Sequence, residues 1–157
     1  ELFHILYGLK YTILRYPNVY GPRQDPNGEA GVVSIFIGKM LKDKIPSIFG
    51  DGNQIRDYIY VDDIVDANII SLKKGDNSIY NLGSGKGTSV NRLFKELREI
   101  IGFKKEPKFT APRLGEVCRI YLSAEKARRE LDWQPKIKLE EGLKKTVSFF
   151  KSRPEYL

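Results

Sequence analysis

IFGDGNQIRDYIYVDDIVDA, residues 48–67, carries the signals around which the rest of the chain is read. Ile48 and Phe49 end a short apolar strand. Gly50-Asp51-Gly52-Asn53 is a turn of residues that tolerate positive φ. Arg56 and Asp57 precede the β-formers Ile59 and Tyr60. Asp62 is placed to cap a helix whose apolar residues Val61, Ile64, Val65, Ile69 and Leu72 recur at helical spacing. An aromatic ring and a guanidinium held near glycine turns can offer a flat face to a nucleobase and a bidentate cation to phosphate. Composition alone supports a plainer picture, with Phe49 in the core and Arg56–Asp57 as a surface ion pair of small value.

The 157 residues suit one domain or a large part of one. With 41% hydrophobic and 30% charged residues, the composition is that of a globular chain. No apolar run reaches the length of a membrane span, and the first residues do not have the order of a secretory leader. A single cysteine, Cys118, excludes an internal disulfide and a cysteine-based metal cluster. A cytoplasmic location is therefore expected. Lys and Arg number 27 against 20 Asp and Glu, a net charge of +7, which favours anionic partners. The basic residues are scattered, which argues against a nucleic-acid-binding tail.

In chain order, Glu1–Tyr7 has a helical apolar pattern stopped by Gly8. It enters as if in mid-helix, so the expectation is the back part of a longer protein. His4, the one histidine, has no catalytic partner near in sequence and reads as structural. Tyr11–Tyr16 is a strand ended by Pro17. Asn18–Arg23 follows as a loop and Asp25–Gly28 as a turn. Gly31–Leu41 is apolar on several faces and reads as a largely buried helix. Lys42–Pro46 is a polar connection, and Ser47–Phe49 a short strand. Lys73–Asn77 turns into a strand at Ser78–Leu82. The strands at Tyr11 and Ser78 read as edge members of a parallel sheet, so exposed apolar surface is expected.

The run Gly83-Ser84-Gly85-Lys86-Gly87 does not qualify as a dinucleotide fingerprint, because it does not follow the first strand of a βαβ unit and no acidic residue ends a next strand. Thr88–Ile101 is a helix capped by Thr88 or Ser89 and ended by Gly102. Pro107–Glu116 is extended or irregular. Ser123–Leu131 is a short capped helix, Trp133 a packing anchor, and Leu139–Phe150 a helix with Leu139, Leu143, Val147 and Phe150 on one face.

Five strings, LRYPNVYGPRQDP (14–26), FGDG with RDYIYVDDIVDA (49–67), YNLGSG (80–85), RLGE (113–116) and SAEKARRELDWQPKIKLEEGLKKTVSFF (123–150), resemble the extended short-chain dehydrogenase/reductase family. Within it, the nearest group is the nucleotide-sugar epimerases and dehydratases. The resemblance implies an α/β fold: the C-terminal part of a Rossmann-type doubly wound parallel sheet plus a small α/β substrate-binding domain. Residues 1–22 and 58–85 would contribute to the sheet, and 23–57 and 86–157 mainly to substrate binding, with the N-terminal NAD-binding half absent. By the same resemblance, Tyr16 and Pro17 wall the nicotinamide of NAD, and Asn18 bonds the sugar nucleotide. Gly31 and Val32 touch the nucleotide, Ser47 and Phe49 flank its base, and Val90 lines the pocket. Arg56 and Arg113 clamp the diphosphate from two sides, and Glu116 accepts from the ribose hydroxyls. Pro17 stands where some members carry an aromatic, and Glu116 where aspartate is common.

The implied activity is an NAD-dependent 4-epimerase acting on UDP-glucose and UDP-galactose, this chain being its UDP-sugar-binding part and inactive alone. The family's catalytic Tyr-x-x-x-Lys pair and its glycine-rich dinucleotide loop are not among these residues, so no catalytic and no metal-ligating residue is expected. The resemblance further implies a homodimer as the full-length protein, with no nucleic-acid and no membrane partner. A nucleotide-sugar 4,6-dehydratase, or an epimerase of N-acetylated or acidic sugars, shares the same clamp. By the same resemblance Ile120 falls at the position that limits bulk near the sugar, and its intermediate size does not decide between glucose and an N-acetyl sugar. A different class is a basic RNA-binding module, against which stands the lack of aromatics interleaved with Lys and Arg on one expected sheet face.

Overall fold

The computed structural model describes residues 1–27 and 31–157. The chain runs α1 (Leu2–Tyr7), β1 (Thr12–Arg15), β2 (Asn18–Tyr20), α2 (Val32–Leu41) and β3 (Ser47–Phe49). It continues through β4 (Ile55–Arg56), β5 (Tyr58–Tyr60), α3 (Val61–Ser71), β6 (Ser78–Asn81) and β7 (Thr88–Ser89). The last part holds α4 (Val90–Ile101), β8 (Lys108–Thr110), α5 (Glu125–Leu131), α6 (Leu139–Ser152) and a 3-10 turn at Pro154–Tyr156.

The strands form parallel pairs joined by helical crossovers, the connection that parallel pairing requires. β1 lies beside β6 with Thr12 opposite Ser78, β2 beside β5 with Asn18 opposite Tyr58, and β3 beside β8 with Ser47 opposite Lys108. Among the described residues, only β4 and β7 pair antiparallel, with Arg56 opposite Thr88. The expected α/β class is what the chain adopts.

β5 divides two cores. Alternation sends Tyr58 and Tyr60 to one side and Ile59 to the other. Tyr58 and Tyr60 join Val33, Phe36 and Ile37 of α2, Leu93, Phe94 and Leu97 of α4, and Leu143, Val147 and Phe150 of α6. Ile59 joins Ile64 and Ala67 of α3, Tyr80, Leu82, Leu131 and the fully buried Trp133. The Trp133 indole N–H donates to the Asp63 carbonyl at 2.9 Å, so it is the packing anchor expected of it.

Several boundaries match the sequence reading. Gly8 closes α1 in the left-handed conformation at φ 67°. Ser89 caps α4 by accepting from the Arg92 backbone, and Gly102 ends that helix at φ 81°. Asn27 N–H donates to Asp25 Oδ1, an Asx turn within the expected one, whose Gly28 lies outside the described residues. His4 Nδ1 sits 3.0 Å from the Leu9 carbonyl, a local structural contact.

Other expectations are corrected. Asn18–Tyr20 is a strand, because the backbone of Asp57 and β5 offers it hydrogen-bond partners that local sequence does not reveal. Asp62 does not cap α3: Tyr60 occupies the cap position, no side chain bonds there, and Asp62 lies in the first turn. The buried acid is its neighbour Asp63, whose two oxygens accept from the Lys136 and Ile137 backbone N–H groups. Val65, Ile69 and Leu72 belong to the helical stripe yet are 48, 55 and 85% exposed. Together with Leu2, Phe3, Ile5 and Leu6 of α1, which buries no residue, they are the exposed apolar surface anticipated from the edge strands. Among the described residues, no helix is long and apolar enough to cross a membrane.

Candidate functional site

The parallel pairing of β3 and β8 starts the site. Both strands end together, with Phe49 opposite Thr110 and the Gly50 N–H donating to the Thr110 carbonyl at 2.9 Å. The carboxyl ends of parallel strands are where open α/β sheets receive ligands. From β8 the chain continues into Pro112–Glu116, directly beside the turn after Phe49. There the Arg113 guanidinium lies 4.0 Å over the Phe49 ring, a cation–π contact. Phe49 is 36% exposed, which rules out a purely core role.

The turn after Phe49 is rigidly built. Asp51 accepts from the Asn53 backbone and side-chain amide, both at 2.9 Å. These bonds, the backbone one first, hold the Asp51 carboxyl below its ordinary value. Gly52 at φ 74° lies against the Asn91 side chain, which a Cβ would displace, and Asn91 Nδ2 donates to the Asp51 carbonyl at 2.8 Å. The Gln54 side-chain amide donates back to the Phe49 carbonyl. The turn thus delivers the chain to β4, where Arg56 points toward the same loop. Arg56 Nη2 donates to Glu116 Oε1 at 3.0 Å, with side-chain exposures of 16 and 28%. Arg56 Nη1 donates to the Ile55 carbonyl at 2.9 Å.

Phe49, Arg113 and Glu116 therefore line one cleft of about 420 Å³, with Gly50, Gln54, Pro112, Leu114 and Cys118, and Arg56 joins it through Glu116. Ser47 lies two residues before Phe49 on β3, on the same strand face. Neither Ser47 nor the remaining expected site residues are in the lining. Tyr16, Pro17 and Asn18 occupy the end of β1 and the start of β2, where Tyr16 O–H donates to Asn68 Oδ1. Gly31 and Val32 open α2. Val90 is 7% exposed and packs in the core of α2, α4 and α6.

Two contributors escaped the sequence reading. Asp57 is not the surface partner of Arg56. It is 1% exposed and accepts from the Ser84 N–H and hydroxyl and from the Leu122 N–H. One carboxylate so joins the glycine run to residues 118–122, which flank β4 through Ile55 N–H to Cys118 and Ile120 N–H to Ile55. Gly83 meets the Leu122 carbonyl so closely that a Cβ has no room. The glycine run serves chain approach here, not a dinucleotide. The second contributor is Tyr58, spaced two residues from Arg56. It is 6% exposed, and its hydroxyl has no hydrogen-bond partner among the described residues. Burial, opposed by Arg56 and reinforced by Glu116, pushes that hydroxyl up to about 12. The strand period of two is the signal that could have found it.

The two residues expected to wall NAD, Tyr16 and Pro17, follow β1. Tyr16, 48% exposed beside Pro17 at the end of the β1–β6 pair, presents a ring face that a nicotinamide could lie against. The glycine run is engaged by Leu122 and Asp57.

The comparisons with known proteins agree with this architecture. The NAD dependent epimerase/dehydratase family matches residues 2–83. A UDP-glucose 4-epimerase of Mycolicibacterium smegmatis is 43% identical over 156 residues, 99% of this chain and 50% of that protein. The solved UDP-glucose 4-epimerase of Thermotoga maritima with UDP-glucose superimposes with a TM-score of 0.96 at 56% identity, covering 98% of this chain and 50% of that one. The UDP-N-acetylglucosamine 4-epimerase of Methanobrevibacter ruminantium M1, in complex with UDP-N-acetylmuramic acid, gives 0.92 at 38% identity, over 97 and 49% of the two chains. The chain thus spans about half the length of its relatives, and its fold is part of the Rossmann-type architecture of these epimerases. With the family model matching more than half of the chain, the chain belongs to the NAD dependent epimerase/dehydratase family.

Proposed function

We propose that this chain is the nucleotide-sugar-binding part of an NAD-dependent UDP-glucose/UDP-galactose 4-epimerase and is inactive alone. The observation that carries the reading is the convergence of Phe49, Arg113 and Glu116 on one cleft at the ends of β3 and β8, with Arg56 ion-paired to Glu116. In it Ser47 and the ring of Phe49 take the base. Arg56 and Arg113 hold the diphosphate by charge-assisted hydrogen bonds, and Glu116 accepts from the ribose hydroxyls. By the same reading Asn18 bonds the sugar nucleotide, Gly31 and Val32 touch the nucleotide, and Val90 lines the pocket. Tyr16 and Pro17 face the nicotinamide, and the rest of NAD is held by residues outside this chain. NAD supplies the taking and returning of the hydride. The reading assigns residues 1–22 and 58–85 to the sheet and the remainder mainly to substrate binding. It also assigns the complete protein to a cytoplasmic homodimer.

Titration calorimetry with UDP and an assay of UDP-galactose conversion test the reading together. UDP should bind with no turnover. Turnover by these 157 residues would refute the absence of catalytic parts, and failure of UDP to bind would refute the cleft assignment. The relative that carries an N-acetylated sugar nucleotide at 38% identity keeps a second sugar class open. Ile120, 46% exposed, has an intermediate size that does not decide between them, and a competition assay of the two sugar nucleotides on the full-length protein discriminates.

A further inference from the structure

We infer that the Arg56–Glu116 ion pair is an exchange latch. A nucleoside diphosphate takes Arg56 with its phosphate and thereby frees Glu116 for the ribose, so that the two moieties are recognised as a unit. The inference rests on the reading of the cleft as a nucleotide site and goes beyond it in coupling the two contacts.

The geometry carries it. Both side chains are largely buried, 16 and 28% exposed, and the pair is made through a single Nη2 and a single Oε1. Nη1 of Arg56 is tied to the Ile55 carbonyl, which fixes the plane of the guanidinium. A phosphate offers several charge-assisted acceptors where Glu116 gives one, so exchange is favourable. Arg113 has no carboxylate partner among the described residues and lies on Phe49, in the cleft that Glu116 also lines. It therefore draws an arriving anion to the pair. Once Nη2 of Arg56 bonds phosphate, Glu116 is a largely buried carboxylate without its counter-charge, which is unfavourable. Vicinal hydroxyls supply the donors that restore it. Pyrophosphate alone strands Glu116, and a nucleoside alone must pull Glu116 from Arg56.

The test measures two fragments, uridine and inorganic pyrophosphate, by ligand-observed NMR against the wild type and against R56Q and E116Q. Each variant opens the latch from one side. E116Q should bind pyrophosphate about fivefold more tightly and R56Q should bind uridine about fivefold more tightly, the size of a partly buried coupling. Uridine is neutral, so loss of a positive charge has no other route to a gain. Glu116→Ala should reproduce the pyrophosphate gain, which covers the case in which glutamine re-forms a bond to Arg56. Unchanged or weakened uridine binding in R56Q overturns the latch. UDP is titrated in parallel: if it binds the wild type while the fragments do not shift, the latch fails and the site stands. If UDP does not bind, the site reading falls and the latch with it.

Discussion

Substitution of Asp57 by asparagine should destabilise the protein and loosen the cleft at the same time. The carboxylate is 1% exposed and accepts from the Ser84 N–H at 3.0 and 3.2 Å, from the Ser84 hydroxyl, and from the Leu122 N–H at 3.1 Å. An asparagine keeps one acceptor oxygen and turns an NH₂ toward the remaining donors. A hydrogen bond to a charged acceptor is worth about 1.5–3 kcal/mol, and a stranded buried donor costs about 1–3 kcal/mol. A net loss of about 3 kcal/mol follows, or a Tm lower by about 6–12 °C for a chain of this size. Thermal and urea unfolding of Asp57→Asn measure it directly. Residues 118–122 pair with Ile55 next to Arg56, so UDP affinity should fall in the same variant. A loss below about 0.5 kcal/mol would mean that the glycine run and residues 118–122 are held by something other than this carboxylate, and the account would be refuted.

Gly83→Ala should cost about 1–3 kcal/mol by unfolding, because its Cβ meets the Leu122 backbone and not a movable side chain; an unchanged midpoint would contradict the close approach. Phe49→Ala should weaken UDP binding by about five- to thirtyfold through loss of base stacking, about 1–2 kcal/mol, with stability nearly unchanged since the ring is 36% exposed. Burial pushes the Tyr58 hydroxyl up to about 12 in the folded chain, from 10.0 for the free group. The unfolded state therefore loses its proton first, and stability present below pH 10 is lost as pH rises toward 12. Tyr58→Phe should flatten that alkaline decline in a pH series of unfolding midpoints, and an unaltered slope would count against the burial effect. Leu2, Leu6 and Leu72, 63, 59 and 85% exposed, should drive self-association. Light scattering should give a mass that rises with concentration, reduced by Leu6→Lys, and a clean monomer at high concentration would disprove it.

Much of the fold was legible from residues 48–67 outward because its signals are local. Helix periodicity placed α2, α4 and α6, glycine marked the ends of α1 and α4, and β-branched and aromatic runs marked β1, β3 and β6. Phe49, Arg56, Arg113 and Glu116 could be named by resemblance to a family, because their motifs are contiguous. The sequence pattern determined which segments become helices and strands and which residue types could meet an anionic ligand. Tertiary structure alone decided that Asn18–Tyr20 joins β5, that Asp57 holds Ser84 and Leu122 while Arg56 turns to Glu116, and that three of the five residues in the α3 stripe stay exposed. Those outcomes depend on partners 27 to 65 residues away in the chain. Whether a polar side chain is buried is set by what packs over it, and no short window of sequence contains that neighbour.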